Sequence, residues 1–357
     1  MTVRAVAEIS VAALRHNLAR AREAAPESRI TAVVKSDGYG HGIVRVAQAF
    51  EAADGYAVAR CHEAMTLREA GIRKPILVLE GFLDTEELEQ CAGYELGTAV
   101  QHDSQVEMLR QAQLVGSVRA WLKLDTGMHR LGFPPERFSE VLASLRALPV
   151  ISDLAVMSHL ANADDLGDSL TSAQRSRFLA ATDGFSGERA LANSAGTLGW
   201  PDTHLDRIRP GIMLYGCTPF SRGTAAEWGL LPAMTFRTRL IAITGVGVGE
   251  AVGYGGSWRA PRETLLGVAA AGYGDGYPRH AISGTPTLVA GHRVPVVGRV
   301  SMDMITIDLT DHPGARVGDD VVLWGEGLPI EEVATRAGTI SYELLCGVTQ
   351  RVPRIVV

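Results

Sequence analysis

Thr31-Ala32-Val33-Val34-Lys35-Ser36-Asp37-Gly38-Tyr39-Gly40-His41-Gly42 places an amine, a phenol and an imidazole in one glycine-punctuated stretch. The small and β-branched residues before Lys35 read as a short buried strand from about Ile30 to Lys35, with the lysine at its last position. An α/β fold collects its chemistry in the loops at the carboxyl ends of its strands. A partly desolvated amine held there becomes a nucleophile toward aldehydes. The alternative is a lysine that lays its stem along the surface and keeps its charge in water.

Other polar groups fall at the same end of later strands. Counted from the strand of Lys35, the fifth is followed by Lys123, Asp125 and Arg130, and the sixth by Ser158 and His159. The seventh is followed by Asn193 and Ser194, and the eighth by Arg209-Pro210-Gly211-Ile212. A polar group at one strand end usually just meets water, but five clusters in register converge on one mouth if the strands close into a barrel. Such a mouth holds a reactive amine, two guanidiniums, an imidazole and small residues whose backbone N–H groups can hold phosphate. That set fits a phosphorylated aldehyde linked to lysine, which is pyridoxal 5'-phosphate. Further on, Tyr254, Tyr273 and Tyr342 stand in turns, the first two flanked by glycines. Taken singly, each reads as a ring that packs and shows its hydroxyl to water.

The elements that must position these groups alternate. Strands at Ile30–Lys35, Gly55–Ala59, Pro75–Leu79, Leu96–Val100, Ala120–Leu124, Leu154–Met157, Arg189–Ala192 and His204–Arg209 are separated by helical patterns. These helices are placed at Ile43–Ala52, Glu63–Ala70, Asp84–Cys91, Ser104–Gln113, Pro135–Leu145, Thr171–Thr182 and after Ser194. Apolar strands alternating with amphipathic helices mean parallel pairing with both faces covered, and eight units close a TIM (β/α)8 barrel. A doubly wound open sheet is the alternative, but no Gly-x-Gly-x-x-Gly opens the first helix. A strand at Val3–Ile9 and a helix capped by Ser10 precede the barrel.

After about Pro232 the pattern becomes short, β-rich and divided by glycine turns, at Met234–Thr244, Thr264–Ala270, Pro286–Ala290, Arg293–Val297 and Met302–Leu309. Ala290-Gly291-His292 reads as a hairpin loop, and helix signal is confined to Pro329–Ala337. Two domains are expected: a barrel over residues 1–231 and a mostly antiparallel β domain over 232–357.

Composition narrows the function classes. A net charge of −6 argues against nucleic acid or an anionic membrane as the main partner. Cys61, Cys91, Cys217 and Cys346 form no Cys-x-x-Cys, so neither a zinc knuckle nor a redox motif is supported, no metal site is expected, and free thiols in a reducing compartment are expected. The N-terminus carries charge early and has no long apolar core, and no window reaches the ~18 apolar residues of a membrane span. A cytoplasmic location is the expectation.

Together these segments resemble alanine racemases, from Ala32 to Arg351-Val352-Pro353-Arg354. The pieces that carry the resemblance are Ala32–Gly42, Lys123-Leu124-Asp125-Thr126-Gly127-Met128-His129-Arg130-Leu131-Gly132 and Arg209–Gly216. Val252-Gly253-Tyr254-Gly255 and Gly298-Arg299-Val300-Ser301-Met302-Asp303 complete the set. The resemblance implies pyridoxal phosphate as an imine on Lys35, its phosphate held by Tyr39, Ser194, Gly211, Ile212 and Tyr342, with Arg209 facing the pyridine nitrogen. A guanidinium donates a hydrogen bond but does not give up its proton, so that nitrogen stays unprotonated.

The resemblance further implies racemisation of alanine through the external aldimine, with two bases: Lys35 on the D side and Tyr254, supplied across a homodimer interface, on the L side. A phenol is a poor base near neutral pH unless cations or hydrogen bonds favour its ionised form. A chain Tyr254–His159–Arg209 is the implied support. Arg130 and the Met302 N–H would meet the substrate, Lys123 would be carbamylated to hold Arg130, and Asp303 would assist. Tyr273, Tyr342, Asp164, Arg279 and Arg299 map to an access corridor that keeps substrates small. The chain departs from the usual pattern at Ser36, Gly38, Trp258 and Gly274, and Asn162 beside the corridor bears on substrate range.

The leading expectation is an alanine racemase that makes or recycles D-alanine for the cell wall. A racemase of broader range, acting on serine or other amino acids, keeps the same machinery. Another barrel-type pyridoxal enzyme is a second reading. A decarboxylase lacks the pairing of Tyr254 with Arg209, and a D-threonine-type aldolase needs late metal ligands where only His312 and Cys346 stand. A non-catalytic pyridoxal-phosphate carrier is a third, against which the large region after the barrel argues.

Overall fold

The computed structural model describes residues 4–357, so Val3 of the expected first strand lies outside it. Eight parallel strands close a barrel. They are β2 (Arg29–Val33), β3 (Gly55–Val58), β4 (Ile76–Val78), β5 (Gly97–Val100), β6 (Val118–Lys123), β7 (Ile151–Met157), β8 (Arg189–Ala190) and β9 (Arg207–Ile208). Each is short and rich in buried Val, Ile, Leu or Ala, as strands covered on both faces must be. Helices at Ile43–Ala49, Cys61–Glu69, Thr85–Gly93, Asp103–Gln111, Phe138–Arg146 and Leu170–Ala181 alternate with them. The open doubly wound sheet is thereby excluded.

Closure is the weak point, because β8 and β9 have two residues each and share one register pair, Ala190 with Arg207. Side chains reinforce it. The buried Arg207 guanidinium donates from Nε to Glu188 Oε1 (2.7 Å) and from one terminal nitrogen to Thr31 Oγ1 (2.7 Å). Arg119 donates to the other Glu188 oxygen (2.5 Å), and both guanidiniums lie over Trp121 at 5.2 and 5.9 Å from its ring centre. This network ties β2, β6, β8 and β9 near their amino ends, away from Lys35. Pairing a buried cation with a carboxylate and a hydroxyl offsets the cost of removing it from water.

The second sheet has the order β13-β16-β15-β14-β17-β10-β1-β18, with β10 also pairing β13. Its strands are β1 (Val6–Ile9), β10 (Met234–Val246), β13 (Thr264–Ala269), β14 (Pro286–Val289), β15 (His292–Val297), β16 (Ile305–Asp308), β17 (Asp320–Trp324) and β18 (Arg354–Val356), while β11 (Ala251–Val252) and β12 (Trp258–Arg259) form a separate ribbon. The long β10 changes neighbours along its length: residues 234–239 pair with β1 and β17 and residues 240–246 with β13, with a register shift between Leu240 and Ala242. Ala290-Gly291 makes the β14–β15 hairpin, both residues at positive φ (47° and 81°), as a two-residue loop requires.

Three features depart from the expectations. β1 pairs antiparallel with β10 and parallel with β18, so residues 6–9 belong to the second sheet although they fall within 1–231. β17 and β18 are additional strands. Helix is not confined to residues 329–337: a seven-residue helix, Ser341–Gly347, follows, too short to show a periodic face. Cys61, Cys91, Cys217 and Cys346 are free thiols, with the Sγ atoms of Cys61 and Cys91 3.1 Å apart in the core. No helix among the described residues is long and apolar enough to cross a membrane.

Candidate functional site

Lys35 does not end a strand: β2 stops at Val33, and Lys35 opens a turn. Ser36, Asp37, Gly38 and Tyr39 come next at φ 55°, 52°, 61° and 50°, a left-handed run that costs a non-glycine residue about 1–2 kcal/mol. Hydrogen bonds hold it. Glu63 Oε1 accepts from the Ser36 N–H (2.6 Å), Asp37 Oδ1 from the Ile43 N–H (2.8 Å), and the Gly40 carbonyl from Arg354 Nε (3.1 Å). His41 is wholly buried and donates from Nδ1 to the Tyr39 carbonyl (2.8 Å); burial lowers its pKa to about 4. The turn packs the Tyr39 ring on Tyr215, centres 4.5 Å apart, and near Tyr342, at 6.2 Å. Burial raises the pKa of both the Tyr39 and Tyr342 hydroxyls, so both stay protonated donors at neutral pH.

The loop after β6 is tied down by Asp125. Burial works to raise its pKa, but N–H groups of Gly127, Met128 and His129, at 2.9–3.0 Å, hold it below the usual carboxylate range. Lys123, Arg130, His159, Arg209 and Lys35 lie close enough to act on one another electrostatically. Burial, then Arg209 and Arg130, lowers the Lys123 amine to about 8. Burial, then the same two guanidiniums, lowers His159 to about 3, so its ring is neutral. Arg209 is wholly buried and lowered to about 10, by burial first and Arg207 second, and it remains a cation at neutral pH. It donates to the Ser158 carbonyl (2.5 Å), while its other terminal nitrogen has no partner. An unused donor buried this deeply calls for an acceptor.

Opposite Tyr39, Ser194 Oγ accepts from the Gly211 N–H (2.8 Å), and Ile212 begins a short 3-10 turn. Asn193 caps the helix Ser194–Gly199 by accepting from the Gly196 N–H (2.9 Å). A Cβ on Gly211 would stand 2.5 Å from Tyr39 Oη, so only glycine lets the two approach. Hydroxyls, backbone donors and a helix start converge here, a donor set suited to phosphate. Asp164 acts electrostatically on Tyr342.

The second-domain candidates stand apart from this cluster. Tyr254 is 72% exposed and Met302 52%. The Tyr273 N–H donates to the Ser301 carbonyl (3.0 Å), which joins the turns of Tyr273 and Met302. Asp303 pairs with Arg351 (2.7 Å), Arg299 lies beside Gly255, and Arg279 comes after the Tyr273 turn. Among the described residues no hydrogen bond or ring contact joins Tyr254, Tyr273, Arg279, Arg299 or Met302 to Lys35. Glu63, Tyr215, Cys346 and Arg354 surround the Lys35 turn without having been expected there. Arg354 lies in the matched C-terminal segment and Tyr215 in the stretch after Arg209, whereas nothing local to Glu63 marks its contact.

Residues 9–219 match the family described as alanine racemase, N-terminal domain, and residues 233–356 the alanine racemase C-terminal domain. An alanine racemase of Nitrosococcus oceani is 52% identical over 350 residues, covering 97% of each chain. One of Vibrio cholerae is 49% identical over 349 residues, covering 98% of this chain and 97% of that one. The crystal structure of the biosynthetic alanine racemase from Pseudomonas aeruginosa superposes with a TM-score of 0.97 at 46% identity, and the Acinetobacter baumannii alanine racemase with 0.94 at 35%, each covering the whole of both chains. With both domain families matched in order along one barrel and one β-rich sheet, the chain belongs to the alanine racemase family.

Proposed function

We propose that this chain interconverts L-alanine and D-alanine, using pyridoxal 5'-phosphate attached to Lys35. The observation that carries the reading is the barrel mouth, where Lys35 and a buried Arg209 with an unused N–H both act on Lys123 and His159, beside the cradle of Tyr39, Ser194, Gly211 and Ile212. These residues fit the cofactor: the cradle and Tyr342 would hold its phosphate, and the unused Arg209 N–H would have its ring nitrogen as an acceptor. When bound, the cofactor supplies the electron sink that acidifies the substrate α-proton. Because Arg209 keeps its own proton, the sink is a modest one, suited to moving a proton and nothing more.

Lys35 takes or returns the α-proton on the D side. Tyr254 of the partner subunit does so on the L side, supported by neutral His159 and then Arg209. The exposure of Tyr254 on a lone chain fits this arrangement, and a homodimer is the consequence. Arg130 and the Met302 N–H bind the substrate carboxylate, with Asp303 in support. A Lys123 amine lowered to about 8 has a neutral fraction that can take up carbon dioxide, and the resulting carbamate gives Arg130 an acceptor. A high-resolution structure with a bare ammonium at Lys123 would refute that step. Tyr273, Asp164, Arg279 and Arg299 form the access corridor. The division into residues 1–231 and 232–357, a cytoplasmic location and a supply of D-alanine to the cell wall belong to the same reading.

Deuterium exchange at the α-carbon of L-alanine, with added pyridoxal phosphate and chiral analysis, tests it. Exchange with D-alanine formed is expected. Exchange without inversion would leave one base working alone. Exchange with serine in place of alanine would keep the mechanism and change the substrate.

A further inference from the structure

We propose that Glu63 is a positioning residue for Lys35, fixing where its amine emerges at the barrel mouth; this rests on the role of Lys35 proposed above. Glu63 sits in the first turn of the helix Cys61–Glu69, on the neighbouring βα unit. One carboxylate oxygen accepts from the Ala59 and Arg60 N–H groups at 2.9 and 3.2 Å, anchoring it to the chain just after β3. The other accepts from the Ser36 N–H at 2.6 Å. That N–H belongs to the peptide carrying the Lys35 carbonyl, so its orientation sets the direction in which the Lys35 side chain leaves the backbone.

The contact matters because the backbone just beyond it is strained. Ser36 and Asp37 occupy the left-handed region, which L-residues leave unless held. Further along, the turn is pinned by Gly42 N–H to Asp37 carbonyl (2.8 Å) and Ile43 N–H to Asp37 Oδ1 (2.8 Å). At its start, next to the reactive lysine, Glu63 holds it through the Ser36 N–H. A carboxylate accepting backbone N–H groups makes short, strong bonds, and here one carboxylate joins two rigid elements, β3 and the Lys35 turn.

Glu63→Ala and Glu63→Gln test the assignment on the holoenzyme. Gln keeps one acceptor oxygen and turns an N–H toward the other donors, so it is expected to fall between Ala and the parent. For Glu63→Ala the expected results are cofactor release, monitored by loss of the visible absorbance of lysine-linked pyridoxal phosphate, faster by about tenfold, and kcat for alanine lower by about tenfold with KM little changed. Thermal midpoints should fall modestly, since the first turn of the helix loses its carboxylate cap while the helix retains its buried face. If Glu63→Ala does not fold, Glu63→Gln is read by the same criteria. Release and kcat within about twofold of the parent would overturn the proposal, as would losses that only track the thermal midpoint. A parent protein that never develops the lysine-linked absorbance would overturn the cofactor reading itself, before Glu63 is tested.

Discussion

Lys35, Lys123, Arg130, His159 and Arg209 share one barrel mouth with Asp125 as the nearby carboxylate, and their mutual repulsion defines what the mouth accepts. Such a site is stabilised by an anion and relieved by keeping some members neutral. His159 is one of these; His41, beneath the turn and outside that group, is kept neutral by burial, with Arg354 and Arg45 adding to it. The ordinary histidine pKa is 6.5, and the fold lowers these two to about 3 and about 4, by burial above all. The unfolded chain therefore binds protons that the folded chain refuses. The stability of the neutral rings is complete above about pH 6.5 and is lost as pH falls toward 4 for His41 and toward 3 for His159. For His41 alone this amounts to about 3 kcal/mol over the full interval. Thermal midpoints should fall steadily on acidification below pH 6.5, and less steeply in His41→Asn. A flat profile from 6.5 to 4.5 in the parent would contradict the buried, neutral assignment.

At the scale of elements, two irregular pieces make the site: the left-handed turn after β2 and the Gly211 approach after β9. Gly211→Ala places a Cβ against Tyr39 Oη and should weaken pyridoxal phosphate binding at least about tenfold while leaving the barrel folded, as read by equilibrium dialysis and circular dichroism. The sequence made much of this legible. Short apolar runs and period-3.6 patterns located the barrel strands and their helices to within a few residues, and strand-end polar residues marked the mouth. Less was legible where a partner far along the chain decides the structure. Val6–Ile9 reads as a strand, but only its pairing with Arg237–Met234 puts it in the second sheet. Asp320–Trp324 and Arg354–Val356 are strands through the neighbours they meet, since β-propensity describes a surface and not an address. Ser36 carries no left-handed signal of its own, and the carboxylate that accepts its N–H comes from Glu63 on another element.

For the whole molecule, the exposed Tyr254, Tyr273 and Met302 bear on assembly. If each active centre combines Lys35 of one protomer with the tyrosine of the other, Lys35→Ala and Tyr254→Phe should each be nearly inactive alone. Mixed and reassociated in equal amounts, they should recover about a quarter of the parent activity, because half the dimers are hybrid and each hybrid has one intact centre. No recovery, with hybrid formation verified by native mass spectrometry, would place both bases in one chain. The sheet that ties the molecule together also constrains how it is made. β1 emerges early in synthesis, but its partners are β10 and β18. The barrel strands are all synthesised before β10, so on the ribosome the first strand waits, unpaired, while the barrel behind it can close. Its neighbour β18 is made after all the other strands described, and Ala7 lies opposite Arg354 in the finished sheet. A circular permutant that links these two edges and opens the chain in an exposed loop would let β1 and β18 leave the ribosome together, removing that wait without changing a contact in the mature fold.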